Sequence, residues 1–443
     1  MNKKPNLFHR SFIIAFMFFL GLGLATSVAN ALDIESITSQ KGIKAWLVED
    51  DTVPVISIQF SFGGGTTQDP QGKEGLANLM TGLFDEGAGD LNSETFQTRI
   101  DDLGAEMAFS VNRDRMLGSM KVIADNRDEA FNLLALSVQK PRFDNEAINR
   151  IREQFVAGLK ASEKDPKTIA QNRLLALIYG KHPYSRRGEG TPDTLKQITK
   201  SDLENMHHAM FARDNLHIGI VGPISPQDAT AIVDRIFGDL PDKAQLQKIP
   251  DAKLNLGGTA NVNYNLPQTS LMLVYPGVKR NDPDFFAAYL MNYVLGGPGL
   301  TSRLFSEVRE KRGLAYTVGS SLMNYDHSAT LVVSTGTRSP EAQKTLATIR
   351  SEIKRMADDG VSQQELDDAK SYVIGSYAVQ NMGSSSAIAS TLVGLQDEGL
   401  PIDYIDKRRA LIDAVTLEEV KAVAQKLLRP EPALLVIGPS KSQ

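Results

Sequence analysis

Apolar residues recur along this chain at strand-like and helical spacings, and the elements they predict come in the same order twice. Residues 55–62 read as a strand. Residues 144–163 place Ile148, Ile151, Phe155 and Leu159 at helical spacing, which predicts an amphipathic helix. Residues 301–312 predict a shorter one with Leu304, Phe305 and Val308 on its apolar face. Thr301 or Ser302 suits its start, while Arg309, Lys311 and Arg312 fall in its last turn, where cations suit the helix dipole. Gly313 is the natural residue just past the helix end, and residues 314–318 then read as a strand. Arg309 at a helix end and Tyr316 at a strand start are two strong hydrogen-bond donors able to face one spot.

The repetition is that of one αβ unit in tandem. Each half opens with a strand, a loop holding Asp-Pro (Asp69-Pro70 and Asp282-Pro283) and an apolar helix. Each closes with a capped helix and a strand. Thr199 with Asp202 leads to Arg213 and Gly222-Pro223; Thr416 with Glu419 leads to Arg429 and Gly438-Pro439. The Thr and the acid three residues on predict a capping box in both. In the middle, Arg338-Ser339-Pro340 predicts a helix with Pro at its first position, and Ser362 with Glu365 predicts the start of the next. Their first-half counterparts are a helix around residues 128–140 and the one from 144. The expected organisation is residues 1–31, a first domain over 32–245, a linker over 246–258 without apolar periodicity, and a second domain over 259–443.

Residues 1–31 read as a secretory signal. Lys3, Lys4 and Arg10 precede fifteen mostly apolar residues and an Ala29-Asn30-Ala31 cleavage site. Fifteen is short for a membrane span, which needs about twenty. Cleavage leaves 412 residues and moves the net charge from −5 to −8, with charges of both signs interspersed. That balance argues against nucleic acid or an anionic membrane as the main partner. The chain has no Cys, so an exported form rests on core burial alone, and a bacterial periplasm is the expected location. Two domains of about 200 residues each bury an adequate core.

The segment from Ser302 through Tyr316 resembles the second-half signature of the pitrilysin, insulysin and mitochondrial processing peptidase family, the inverted-motif zinc peptidases. The resemblance extends over residues 34–440. It implies an α+β fold of two tandem homologous αβ-roll domains, each an antiparallel-rich sheet with helices on one face, clamped around a cleft. It implies that Arg309 and Tyr316 are the pair that binds the substrate backbone beside the scissile bond. Gly296, Gly297 and Gly299 correspond to the glycine-rich loop implicated in substrate recognition in non-catalytic processing-peptidase subunits; a plain tight turn is the other reading. No Gly-Lys-Ser/Thr follows them, so this is not a phosphate loop.

The family's metal site is H-x-x-E-H in the first half, with a Glu about seventy-five residues downstream as third ligand. Here the matching context, Asp69-Pro70 and then residues 72–77, continues into Asn78, Thr81 and Gly82 where His, Glu and His belong. The third position falls near Ala157-Gly158, without a carboxylate. Gly82 and Gly158 inside helices cost about 1 kcal/mol each relative to Ala, which close packing of two helices over a vacated site would explain. The six His (His9, His182, His207, His208, His217 and His327) show no ligand spacing with a carboxylate partner. The resemblance therefore implies the non-zinc subunit of a heterodimeric metallopeptidase, a division of labour known in the family. No cofactor is expected in this chain, zinc is expected in a homologous partner subunit, and peptides are the expected substrates. A structural or peptide-binding scaffold is the alternative.

Overall fold

The computed structural model describes residues 32–439, so the signal segment 1–31 lies outside the described residues. In the first half, strands β1 (Glu35–Thr38), β2 (Lys44–Glu49), β3 (Val55–Gly63), the two-residue pair β4 (Gly87–Ala88) and β5 (Leu91–Asn92), β6 (Glu106–Val111), β7 (Arg115–Ile123) and β8 (Leu216–Gly222) follow in sequence. Six of them form a sheet in the order β1-β2-β8-β3-β7-β6. The second half supplies β9 (Thr259–Asn263), β10 (Gln268–Pro276), β11 (Ala315–Tyr325), β12 (Ser328–Arg338) and β13 (Ala433–Gly438), in the order β11-β12-β10-β13-β9. In each sheet one parallel pair, β2 with β8 and β13 with β9, adjoins antiparallel neighbours. The second sheet repeats the topology of the first without β1, as a tandem duplication requires.

Local signals landed where short-range chemistry sets them. Thr199 with Asp202, Ser362 with Glu365 and Thr416 with Glu419 each make a reciprocal capping box. The helix expected over 144–163 spans Asn145–Ser162 and buries Ile148, Ile151 and Leu159. Two details differ. Residues 339–341 form a 3-10 turn before the helix Ala342–Asp359 begins. The 246–258 stretch does alternate: Ala252, Leu254 and Leu256 turn inward onto the core shared by both halves, while Ala252 N donates to His327 O at 2.8 Å. Three small or aliphatic residues among polar ones were too sparse a signal to read.

Each half packs its own helices on one face of its sheet, as expected, and a helix from the other half covers the second face. On the inner face of β3, Ile56, Ile58, Phe60 and Phe62 join the first-half core. The opposite face presents Ser57 and Ser61, and helix Ser385–Asp397 from the second half lies across it. Ser57 and Ser386 hydroxyls meet at 3.0 Å, Ser61 donates to Asp397 at 2.6 Å, and Gln396 donates to Ile218 O at 2.9 Å. Gly219 lets the helix approach, since a Cβ there would stand 2.6 Å from Ala389 O. Reciprocally, the first-half helix Pro166–Tyr179 packs on β9 and β13, burying Leu174 and Ile178 against Leu435 and Ile437. Each half thus completes the other's layer structure.

His207 illustrates how polar groups are accommodated in the core. Its ring lies among Phe84, Phe143 and Phe211, and Nε2 shares a hydrogen bond with Val138 O at 2.8 Å. Burial lowers its pKa to about 4. The unfolded imidazole protonates near pH 6.5, so the unfolded chain binds more protons between those values. Stability should therefore fall as pH drops from 6.5 to 4, by up to about 3 kcal/mol. Urea denaturation at both pH values should show a smaller loss in His207→Gln, which keeps a donor for Val138 O.

Candidate functional site

Helix Phe285–Gly296 is buried for most of its length and delivers the chain to the glycine-rich loop. A Cβ on Gly296 would meet Ser320 N at 2.7 Å, and one on Gly297 would meet Tyr293 Cα at 2.6 Å. Both glycines are thus explained by close packing of the loop on β11 and on the helix end. Gly299 takes φ 108°, open to glycine alone in practice, with no atom near its missing side chain. Leu300 follows it with 66% of its surface exposed.

The short helix expected over 301–312 is wound more widely. Residues Phe305–Glu310 form a π turn, with Lys311 N donating to Ser306 O at 2.9 Å. Such turns recur at functional sites. Neither Thr301 nor Ser302 caps it by a side-chain bond, and Ser302 Oγ is buried without a protein partner. The anchor comes from below: Leu304 and Val308 are fully buried, and Arg303 binds Glu365 through two 2.7 Å contacts. Gly313 (φ 59°) ends the segment, with Gly313 N on Arg309 O and Leu314 N on Val308 O, both at 2.9 Å. The first is the 5→1 bond of an αL closure at a left-handed glycine, and the second reaches one residue further back, over the widened turn.

Strand β11 then starts at Ala315, and its register against β12 slips between Ala315 and Thr317. Tyr316 is the extra residue of this bulge, a device that re-aims a side chain. It is 76% exposed, which excludes a core role. The Arg309 guanidinium lies 4.6 Å from the Tyr316 ring centroid and 4.8 Å from that of Phe305, held between them. The neighbouring cations are engaged: Lys311 and Arg312 both pair with Glu307 and hold its carboxyl down at about 2. Arg309 has no side-chain hydrogen bond or ion pair among the described residues. The structure therefore brings Arg309 and Tyr316 together and leaves both polar ends free.

The metal positions do not fit zinc. Helix Leu76–Thr81 carries Asn78, and Thr81 Oγ1 turns back to donate to Asn78 O at 2.7 Å. Gly82 is the cap residue at the helix end and not an interior position as expected from sequence. A Cβ there would meet Ile151 Cγ2 at 3.0 Å and Phe155 Cζ at 3.4 Å, so close helix packing does explain Gly82. It does not explain Gly158, which has no atom within 4 Å of its missing Cβ and borders open space. Among the described residues no three His, Cys, Asp or Glu side chains group to hold a metal.

The open space is a cavity of about 500 Å³, with Asn78, Phe155 and Gly158 in its wall. Every residue lining it precedes Gly190, so Arg309 and Tyr316 do not face it. Arg113, Arg186 and Arg187 do, and sequence reasoning missed them. The available signal was the Arg186-Arg187 pair set before Gly188 and Gly190. Those glycines press the loop against Thr66 and Glu74, where Cβ atoms would meet them at 3.2 and 2.1 Å. Asp69 closes the cavity floor: its oxygens accept from Gly75 N at 2.8 Å and Ala77 N at 2.9 Å, and burial pushes its pKa up to about 7.

Comparisons with known proteins agree with this architecture. The profile described as Insulinase (Peptidase family M16) matches residues 45–191, and that described as Peptidase M16 inactive domain matches residues 197–373. The solved structure of a peptidase M16 inactive domain from Pseudomonas fluorescens is 30% identical, covers 93% of this chain and 99% of its own, and superposes with a TM-score of 0.87. The "Uncharacterized zinc protease YmxG" of Bacillus subtilis is 24% identical over 413 residues, 92% of this chain and 98% of that protein. The "Non-peptidase homolog YmxG" of Helicobacter pylori is also 24% identical, over 93% of this chain and 94% of that protein. Matched in both halves and along nearly its whole described length, the chain belongs to the M16 peptidase family and is a member that has lost the family's metal ligands.

Proposed function

We propose that this chain is the non-zinc subunit of a heterodimeric peptidase, exported to the periplasm after removal of residues 1–31. A homologous partner supplies zinc and the general base, the chemistry that activates water for attack on a peptide bond. This chain supplies Arg309 and Tyr316, which donate hydrogen bonds to the substrate carbonyl and to the oxyanion that grows from it. The loop at Gly296, Gly297 and Gly299 lies on the same strand, β11, and contacts the bound peptide through its exposed tip. The carrying observation is the state of the pair: two donors are stacked, exposed and uncommitted, while the chain's own metal positions hold Asn78, Thr81 and Gly82. A scaffold would have no use for such a pair.

The test is reconstitution. The purified chain should hold no stoichiometric zinc after dialysis and should leave unstructured peptides intact. Mixing with a homologous chain that carries H-x-x-E-H should give chelator-sensitive hydrolysis. One tightly held zinc per chain, or hydrolysis by this chain alone, would overturn the proposal.

A further inference from the structure

The cavity beside Asn78 is not merely what remains where a metal was lost. Its wall carries three guanidinium groups. Arg113 stands in the β6–β7 turn, 5.3 Å from the Tyr325 ring and 5.7 Å from that of Tyr184. Its one side-chain hydrogen bond among the described residues is a long 3.5 Å contact to Tyr184 O. Arg186 donates to Asp69 O at 3.1 Å. The Arg187 side chain has neither a hydrogen bond nor an ion pair among the described residues; only its backbone O is engaged, by Gly190 N at 2.9 Å. The Nε atoms of Arg113 and Arg187 are buried without a protein acceptor. Leaving such donors unmatched costs on the order of 1–3 kcal/mol each.

The nearby carboxylates do not offset these cations. Asp69 is committed to the two backbone amides above, and Glu74 accepts from Gly72 N at 3.1 Å. Glu189 is exposed. The rest of the wall includes Asn112, Gln171 and Asn172, whose amides match a peptide backbone in both donors and acceptors. A volume of about 500 Å³ falls within the range of small-ligand sites, about 300–1,000 Å³, and so has room for a chain end or one side chain. Glycine-tight packing of the 186–190 loop on Thr66 and Glu74 fixes the groups in place.

We infer that this cavity receives a carboxylate carried by a peptide, with Arg187 and Arg113 as its principal donors. A planar carboxylate matches the guanidinium fork, and charge-assisted bonds of this kind are the strong ones. The carboxylate follows from the arginines; that a peptide carries it rests on the function proposed above. Two sources share this chemistry: a chain's C-terminal carboxylate and an acidic side chain.

The experiment uses the isolated full chain and calorimetric titration with matched unstructured peptides. One set has free C-termini, a second has amidated C-termini and no acid, and a third is amidated with a glutamate next to the end. Free-acid peptides should bind about ten- to a hundredfold tighter than amidated neutral ones. If the third set binds as tightly as the first, the side chain is a source; if not, the C-terminus is. Arg187→Gln, whose side chain holds nothing else, should abolish the preference, and Arg309→Ala should leave it intact. Equal binding of acid and amide forms, a preference that survives both Arg187→Gln and Arg113→Gln, or tighter binding of inorganic phosphate would each overturn the inference. None of these outcomes touches the reconstituted activity, so the composite-site reading stands or falls separately.

Discussion

Replacing Arg309 by Ala, or Tyr316 by Phe, should depress turnover of the reconstituted pair by about 10²–10³-fold, the usual effect of removing one oxyanion donor. Assembly and zinc content should not change. Both donors act on charge that develops only as the carbonyl is attacked, so the loss belongs to the rate and less to substrate binding. Tyr316→Phe is the sharper variant. It removes one hydroxyl from a side chain that is 76% exposed, so it leaves the ring against Arg309 and the fold untouched. Arg309→Lys should restore little, because the flat guanidinium is what lies between the Phe305 and Tyr316 rings. Wild-type turnover by both Arg309→Ala and Tyr316→Phe would end the composite-site proposal and leave the scaffold reading in its place.

The largest effect on stability should come from Phe60→Ala, at about 3–5 kcal/mol. Phe60 is fully buried at the centre of β3, with ring centroids of Phe237, Phe109 and Phe62 at 5.1, 5.9 and 6.0 Å. Directly across the ladder stands Gly118, where a Cβ would lie 2.1 Å from Phe60 Cζ. Gly118→Ala alone should therefore cost about 1–3 kcal/mol through overpacking. In the double variant the methyl enters space the ring has vacated, so the two costs should sum to less than their separate values. Urea denaturation followed by the fluorescence of Trp46, the chain's one tryptophan, reads the same sheet through β2. Strict additivity would show that the ring does not lie over Gly118.

Much of the fold was legible because its signals are local. A capping box is decided within four residues, so Thr199, Ser362 and Thr416 were readable from their acids alone. Gly313 was readable for the same reason: only glycine easily takes the left-handed turn that ends the segment. The duplication was legible as order, and the second sheet repeats the strand order of the first apart from β1. The loss of metal ligands was legible as residue identity, since neither Gly82 nor Asn78 can do the work of an imidazole.

What the sequence could not decide depends on residues distant along the chain. The π turn and the bulge at Tyr316 arise where Leu304, Val308 and the Arg303–Glu365 pair hold the segment down while β12 fixes the register of β11. Periodicity alone saw an ordinary helix and strand there. The exchange of helices Pro166–Tyr179 and Ser385–Asp397 between the sheets is invisible in either half alone, because each partner face looks polar or short without its cover. The arginine-lined cavity likewise joins the β6–β7 turn to a loop some seventy residues later. Sequence fixes which backbone groups are satisfied nearby and which side chains exist. Only long-range packing, which must fill space and seat every buried polar group at once, decides where those side chains meet.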